Sequence, residues 1–146
     1  MDSSHYADTS FLVSLYTPDV NTRAAQSAVT SARDLVSSPL GEVEFTNALG
    51  VRVFRKEITG LQADEVLTEF RRDIESGYLR IVGGGLVMYE QALLLARRHT
   101  RQLGTRSLDV LHVASALEVG AVYFFTFDKA QARLAKLAGL AVLAAR

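Results

Sequence analysis

Four acidic residues stand in otherwise apolar surroundings. They are Asp8 in Tyr6-Ala7-Asp8-Thr9-Ser10, Glu44 in Val43-Glu44-Phe45-Thr46-Asn47-Ala48-Leu49, Asp109 in Ser107-Leu108-Asp109-Val110-Leu111-His112, and Asp128 in Phe124-Phe125-Thr126-Phe127-Asp128. A carboxylate in such a setting loses water, which is costly unless it is paired or metal-bound. Several carboxylates brought together without cations raise one another's pKa and partly protonate. A divalent cation relieves that conflict, and an oxygen-only donor set suits Mg2+ or Mn2+ rather than zinc.

Each acid taken singly also has a structural explanation. Asp8 and Asp128 both precede helical patterns, where aspartate is a favoured N-cap. Gln131, three residues after Asp128, would complete an aspartate form of the capping box. Asp109 falls in the first turn after Ser107, where a negative charge suits the helix dipole. Glu44 alone would be a solvated glutamate, and Glu42 competes with it. Two residues apart on a helix is about 200° of rotation, so only one of the pair can face a common site. Periodicity does not decide between them, although Asn47 shares a face with Glu44. What the caps leave unexplained is the coincidence of four such acids from distant parts of one chain.

Other polar residues carry weaker signals. His112 lies three residues after Asp109, on the same helical face. A partly buried structural residue is the favoured reading there, with a base or a ligand as the alternative. Arg97, Arg98, Arg101 and Arg106 cluster just before the Asp109 helix, either as a grip on RNA phosphates or as a solvated face. Gly83-Gly84-Gly85 lacks the lysine and spacing of a phosphate loop and reads as a break.

The elements that must position these residues alternate between short apolar runs and longer helical stretches. Strands are expected at His5–Ala7, Leu35–Ser37, Leu79–Val82 and Val122–Phe127, with a possible edge strand at Leu140–Leu143. Helices are expected at Thr9–Tyr16, from a Thr17-Pro18 cap to about Ala32, from a Ser38-Pro39 cap to about Lys56, and at Leu61–Glu75 after a Thr59-Gly60 break. Further helices are expected at Leu86–Gln102, Leu108–Val119 with Ser107 as cap, and Asp128–Ala138. The Leu61–Glu75 stripe of Leu61, Val66, Leu67 and Phe70 reads as core-facing, with a groove for a partner helix as the alternative. Strands alternating with helices imply an α/β fold, a parallel sheet covered on both faces. In such sheets ligands bind beyond the carboxyl ends of the strands. Asp8 and Asp128 both fall there.

The bulk properties fit one globular domain over residues 1–146. Nearly half of the 146 residues are apolar, 22% are charged and only two are proline, which is not a disordered composition. With 16 basic and 16 acidic residues the formal net charge is zero, so any nucleic-acid site must be a local patch. The absence of cysteine excludes disulfides, thiolate metal sites and a cysteine nucleophile. The stretch Met1–Ser10 is too polar for a secretory signal, and no apolar run approaches the ~18 residues of a membrane span. A cytoplasmic protein with no membrane contact is the expectation.

Taken in order, these fragments resemble the PIN-domain family, and within it the VapC-type toxins. Asp8-Thr9-Ser10 resembles the opening motif. Glu44 with Asn47-Ala48-Leu49 resembles the helical glutamate motif. Asp109-Val110-Leu111-His112-Val113-Ala114-Ser115-Ala116 is similar to the family's Asp-x-x-His-x-Ala-x-Ala segment. Thr126-Phe127-Asp128, followed by an alanine-rich helix, resembles the closing motif. The resemblance spans nearly the whole chain. It implies a three-layer α/β/α sandwich with a central parallel sheet of four to five strands. It also implies a metal-dependent endoribonuclease whose catalytic, metal-holding residues correspond to Asp8, Glu44, Asp109 and Asp128, with Thr9 and Thr126 assisting from behind. It further implies an RNA substrate, a small antitoxin partner and a homodimer. A near-neutral charge and a polar start to the first strand depart from the family pattern.

The rival reading is a non-catalytic binding module of the same fold, acting through protein partners. Two other acidic α/β folds fit poorly. A haloacid-dehalogenase-type phosphatase would place an aspartate where Ser10 stands. A phospho-receiver domain would need a lysine on a late strand, whereas Lys129 and Lys136 fall in the last expected helix.

Overall fold

The computed structural model describes residues 3–143. Five short strands, β1 (Ser4–Ala7), β2 (Asp34–Ser37), β3 (Leu79–Ile81), β4 (Tyr123–Phe125) and β5 (Ala141–Leu143), form one sheet in the order β3-β2-β1-β4-β5. Every pairing is parallel. The sheet therefore carries the expected α/β architecture, including the edge strand.

Alternation along each strand sorts the core into two halves. Tyr6, Val36 and Phe124 point to one face, where they meet α5 (Leu86–Leu95), α7 (Ser107–Glu118) and α8 (Lys129–Leu137). Ala7, Leu35 and Phe125 point to the other, against α1 (Thr9–Tyr16), α2 (Thr22–Val29), α3 (Pro39–Phe54) and α4 (Gly60–Ser76). The result is a three-layer sandwich. Among the described residues no helix is long and apolar enough to cross a membrane.

Several expected boundaries move for identifiable reasons. Thr17-Pro18 does not open a helix: the Thr17 hydroxyl donates back to the carbonyl of Val13 at 2.6 Å and closes α1 instead. Thr59-Gly60 is a start rather than a break, because Thr59 and Gln62 form a reciprocal capping box. Ser107 is inside α7; the cap position is Arg106, whose backbone N–H donates to Asp109 at 3.3 Å. The long helix after Gly85 is α5 followed by a π-helical turn, Ala96–Thr100, and a short α6, Arg101–Leu103. Of the α4 stripe, Phe70 is buried and Val66 and Leu67 pack against the same core, whereas Leu61 is exposed. Ser38 caps α3 as expected, accepting from the N–H of Gly41 at 3.2 Å.

The close packing of α3 against the sheet depends on Gly41. A Cβ there would stand 2.3 Å from Oγ of Ser37, which donates to the carbonyl of Ala7 at the end of β1. Gly50, on the same helix, has nothing within 4 Å of such a Cβ. Gly41→Ala is expected to lower stability by about 1–3 kcal/mol through overpacking. Gly50→Ala should raise it by roughly 0.5–1 kcal/mol through helix propensity. Urea melts of the two variants against the parent check the pair; equal effects would mean that Ser37 yields freely.

Candidate active site

The strand order reverses direction between β1 and β4, and a crevice opens beyond the carboxyl ends of those two strands. This is where a doubly wound sheet presents a ligand site. Asp8 follows β1 directly, and Asp128 follows β4 by way of Thr126 and Phe127. The first turn of α7 brings Asp109 to the same place, and α3 brings Glu44. All four acids line one cavity of about 310 Å³, together with Thr9, Ser10, Arg106, His112 and Gln131.

Asp8 is almost wholly buried, at 2% exposure. One carboxylate oxygen, Oδ1, accepts from the N–H of Phe11 at 2.9 Å and from the Ser10 hydroxyl at 2.7 Å. The other, Oδ2, accepts from the Thr126 hydroxyl and from Nε2 of Gln131 at 2.9 Å. Thr126 is itself oriented by the N–H of Asp128, which donates to its hydroxyl at 2.9 Å. Burial pushes the Asp8 carboxyl up, and the bonds from Thr126, Phe11 and Ser10 pull against that without cancelling it.

Glu44 is half-buried and held from behind. Its Oε1 accepts from the Thr9 hydroxyl at 2.8 Å and contacts Nε2 of His112. The other ring nitrogen of His112, Nδ1, lies 2.8 Å from the Tyr6 hydroxyl, which also bonds the Ser38 hydroxyl at 2.7 Å. Burial pushes Glu44 up, but the contacts with His112 and Thr9 outweigh it, so its carboxyl sits below the usual range. Glu42 instead faces a separate surface depression with Thr46, Arg71 and Glu75. Asn47 is exposed and lines no part of the cavity, so its shared face with Glu44 is not what selects Glu44.

Arg106 supplies the remaining contacts. Its Nε stands 3.6 Å from Oδ2 of Asp109, and an NH2 nitrogen stands 3.8 Å from Oδ2 of Asp128. Asp128 also caps α8, accepting from the N–H of Gln131 at 3.0 Å. The capping-box expectation is half met: Gln131 turns its side chain to Asp8 rather than back to the cap. Of the four arginines grouped in the sequence, Arg106 lines the cavity. Arg97 and Arg98 are exposed on the π-helical turn, and Arg101 borders an apolar groove between α5 and α7.

The donor set suits a hard divalent cation in its chemistry: carboxylate oxygens, with neither sulfur nor excess nitrogen. Its spacing is looser than expected from four converging acids. Among the described residues no three His, Asp or Glu side chains stand close enough to hold an ion between them. Within the cavity Arg106 pairs with Asp109 and Asp128, His112 contacts Glu44, and four donors bond Asp8. Gln131 and Tyr6 carried no sequence signal as site residues, because each joins the site through a long-range contact.

The PIN domain family model matches residues 6–137. The chain belongs to the PIN domain family. Solved structures agree in fold. VapC20 of Mycobacterium tuberculosis, described as a sarcin–ricin-loop-cleaving toxin, is 19% identical with a TM-score of 0.67, covering 88% of this chain and 93% of its own. FitAcB of Neisseria gonorrhoeae is 15% identical with a TM-score of 0.67, covering 95% and 96% respectively. VapBC2 of Rickettsia felis, bound to a DNA fragment from its promoter, is 14% identical with a TM-score of 0.67, again covering 95% and 96%. No curated protein sequence matches the chain at a significant level. This PIN domain thus shares the sandwich of VapC toxins at low sequence identity.

The state of Asp8 has a consequence for stability. Its folded pKa lies above the unfolded value of about 3.9, so its contribution is most favourable in acid and is lost as pH rises through the folded pKa. Above the folded pKa, the buried charge weighs against folding. Asp8→Asn keeps the shape and removes the charge. In the presence of chelator the variant should be more stable than the parent at pH ~8, with the gap closing toward pH ~4. Thermal melts across that range check it. A parent that is the more stable protein at pH ~8 would mean that the hydrogen bonds outweigh burial.

Proposed function

We propose that this PIN domain is a metal-dependent endoribonuclease that hydrolyses RNA phosphodiester bonds as the toxin of a toxin–antitoxin pair. The observation that carries the reading is the cavity itself: four carboxylates from four distant segments meet at the switch point of a parallel sheet within a PIN family match. Support for RNA as substrate and for a toxin role comes from the fold shared with VapC20. Support for an antitoxin partner comes from the fold shared with VapBC2.

In this reading Asp8, Glu44, Asp109 and Asp128 hold Mg2+ or Mn2+. The bound cation would activate water and neutralise the scissile phosphate. The chain's own residues do the positioning. Thr126 and Gln131 fix the Asp8 oxygen nearest β4, and Ser10 with the Phe11 N–H fixes the other. Thr9 and His112 fix Glu44, with the His112 ring oriented in turn by Tyr6. Arg106 takes phosphate at the cavity mouth, with Arg97, Arg98 and Arg101 extending the RNA track beyond it. A second copy would cover the exposed apolar face of α5, formed by Leu86, Val87, Leu93 and Leu94. A second reading, a non-catalytic module acting through protein partners, is favoured by the lack of a preformed ion cage among the described residues.

One cleavage assay separates the two. RNA hydrolysis in Mg2+ or Mn2+ is expected, with loss in excess EDTA and in Asp8→Asn. Gln131→Leu, which removes a donor behind the ligand, should lose about 10–100-fold. Full activity in EDTA or in Asp8→Asn would remove the metal mechanism. Inactivity of the parent with every divalent ion would favour the binding module. Leu93→Glu tests the dimer by light scattering: a monomer is expected, and an unchanged mass would exclude that face.

A further inference from the structure

Building on the metal-nuclease reading above, we propose that Arg106 is a resident counter-ion that a divalent cation displaces, and that the released guanidinium then takes the substrate phosphate. Arg106 sits between Asp109 and Asp128, 3.6 Å and 3.8 Å from one oxygen of each. Those two oxygens belong to two of the four acids around the cavity. One of them, Oδ2 of Asp128, has no hydrogen bond from the described residues and only this ion pair. A cation held by both acids and a guanidinium between them compete for the same charge. Two like charges on one pair of carboxylates repel, and the more compact, doubly charged ion wins.

The geometry makes the exchange feasible. The Arg106 side chain is 79% exposed, so it can swing toward solvent without opening a core. Its anchoring to α7 does not depend on the guanidinium, because the helix is capped by the Arg106 backbone N–H bonding Asp109. Asp109, by contrast, is 6% exposed and stays in place. Once released, the guanidinium stays at the cavity wall, where a phosphodiester held over the acids would meet it. Arginine suits that role through its planar fork of donors.

The consequence runs against the usual effect of removing a site residue. Arg106→Gln should bind Mn2+ more tightly than the parent, by roughly three- to tenfold, the size of the opposition that two partly exposed ion pairs provide. Arg106→Lys, which keeps the charge, should stay close to the parent. Both affinities are measured by calorimetry on the isolated proteins without RNA. At saturating Mn2+ the Gln variant should show a lower kcat/KM for an RNA oligonucleotide, and the dependence of log(kcat/KM) on log salt should be shallower by about 0.7, one phosphate contact on a single strand. Equal or weaker Mn2+ binding by Arg106→Gln, with the parent binding normally, overturns the exchange and leaves the nuclease reading standing. No Mn2+ binding by either protein overturns both. Tighter binding with unchanged kcat/KM and salt slope overturns the phosphate role of the released arginine.

Discussion

The structure turns on one buried carboxylate. Asp8 has almost no contact with water, and it sits where β1 ends and the strand order reverses. An isolated ion in that position would be untenable. It is tolerated because donors from three parts of the fold converge on it: the first turn of α1, the segment after β4, and α8. The β1–β4 pairing, which places Ala7 beside Phe125, sets the distance between these parts. Stacking of Phe11 on Phe125 and of Tyr6 on Phe124 holds that pairing from both faces of the sheet. The core therefore serves the charge: it fixes the frame within which four hydrogen bonds can meet one group.

Much of this was legible in the sequence, for a physical reason. Short β-branched and aromatic runs separated by helical periods leave few arrangements other than a parallel sheet with helices on both faces. Asp8 and Asp128 follow two of those runs, so their placement at the carboxyl edge came with the strands. Asp109 and Glu44 were marked by charge within apolar context and by their likeness to family motifs. What stayed hidden is of another kind. Thr17 bonding backward to Val13 and Thr59 bonding forward to Gln62 differ only in which backbone group lies free, and local residue type does not record that. Gln131 looked like half of a capping box because the box is a local pattern, whereas its amide goes to Asp8, 123 residues away in the chain. The choice of Glu44 over Glu42 rests on how α3 is turned, and its buried residues Gly41, Phe45 and Leu49 lie against the sheet side.

Charge balance at the site is local. The formal net charge is zero, so the chain as a whole sets up no net attraction for ions of either sign. Within the cavity, Arg106 faces Asp109 and Asp128, and His112 faces Glu44. Asp8, without such a partner, is held by four neutral donors. A site of this kind holds together without a bound ion, and on the proposed reading an incoming ion would meet groups already occupied. On that reading, affinity for a cation would be set as much by how easily its stand-ins leave as by how well the carboxylates grip.

The capping and functional readings of these acids are compatible because a carboxylate has two oxygens. Asp8 turns Oδ1 to the N–H of Phe11 and Oδ2 to Thr126 and Gln131. Asp128 turns Oδ1 to the N–H of Gln131 and leaves Oδ2 toward Arg106. In each case one oxygen ends a helix, a contribution of about 1 kcal/mol, and the other faces the site. For Asp8 the second oxygen is further held by Thr126 and Gln131; for Asp128 it is turned toward Arg106. Asparagine would serve the helix nearly as well, since its one carbonyl oxygen suffices for a cap. It would present an amide N–H to the cavity in place of an acceptor. The need for aspartate rather than any good cap therefore comes from the second oxygen, and it is there that stability and chemistry part.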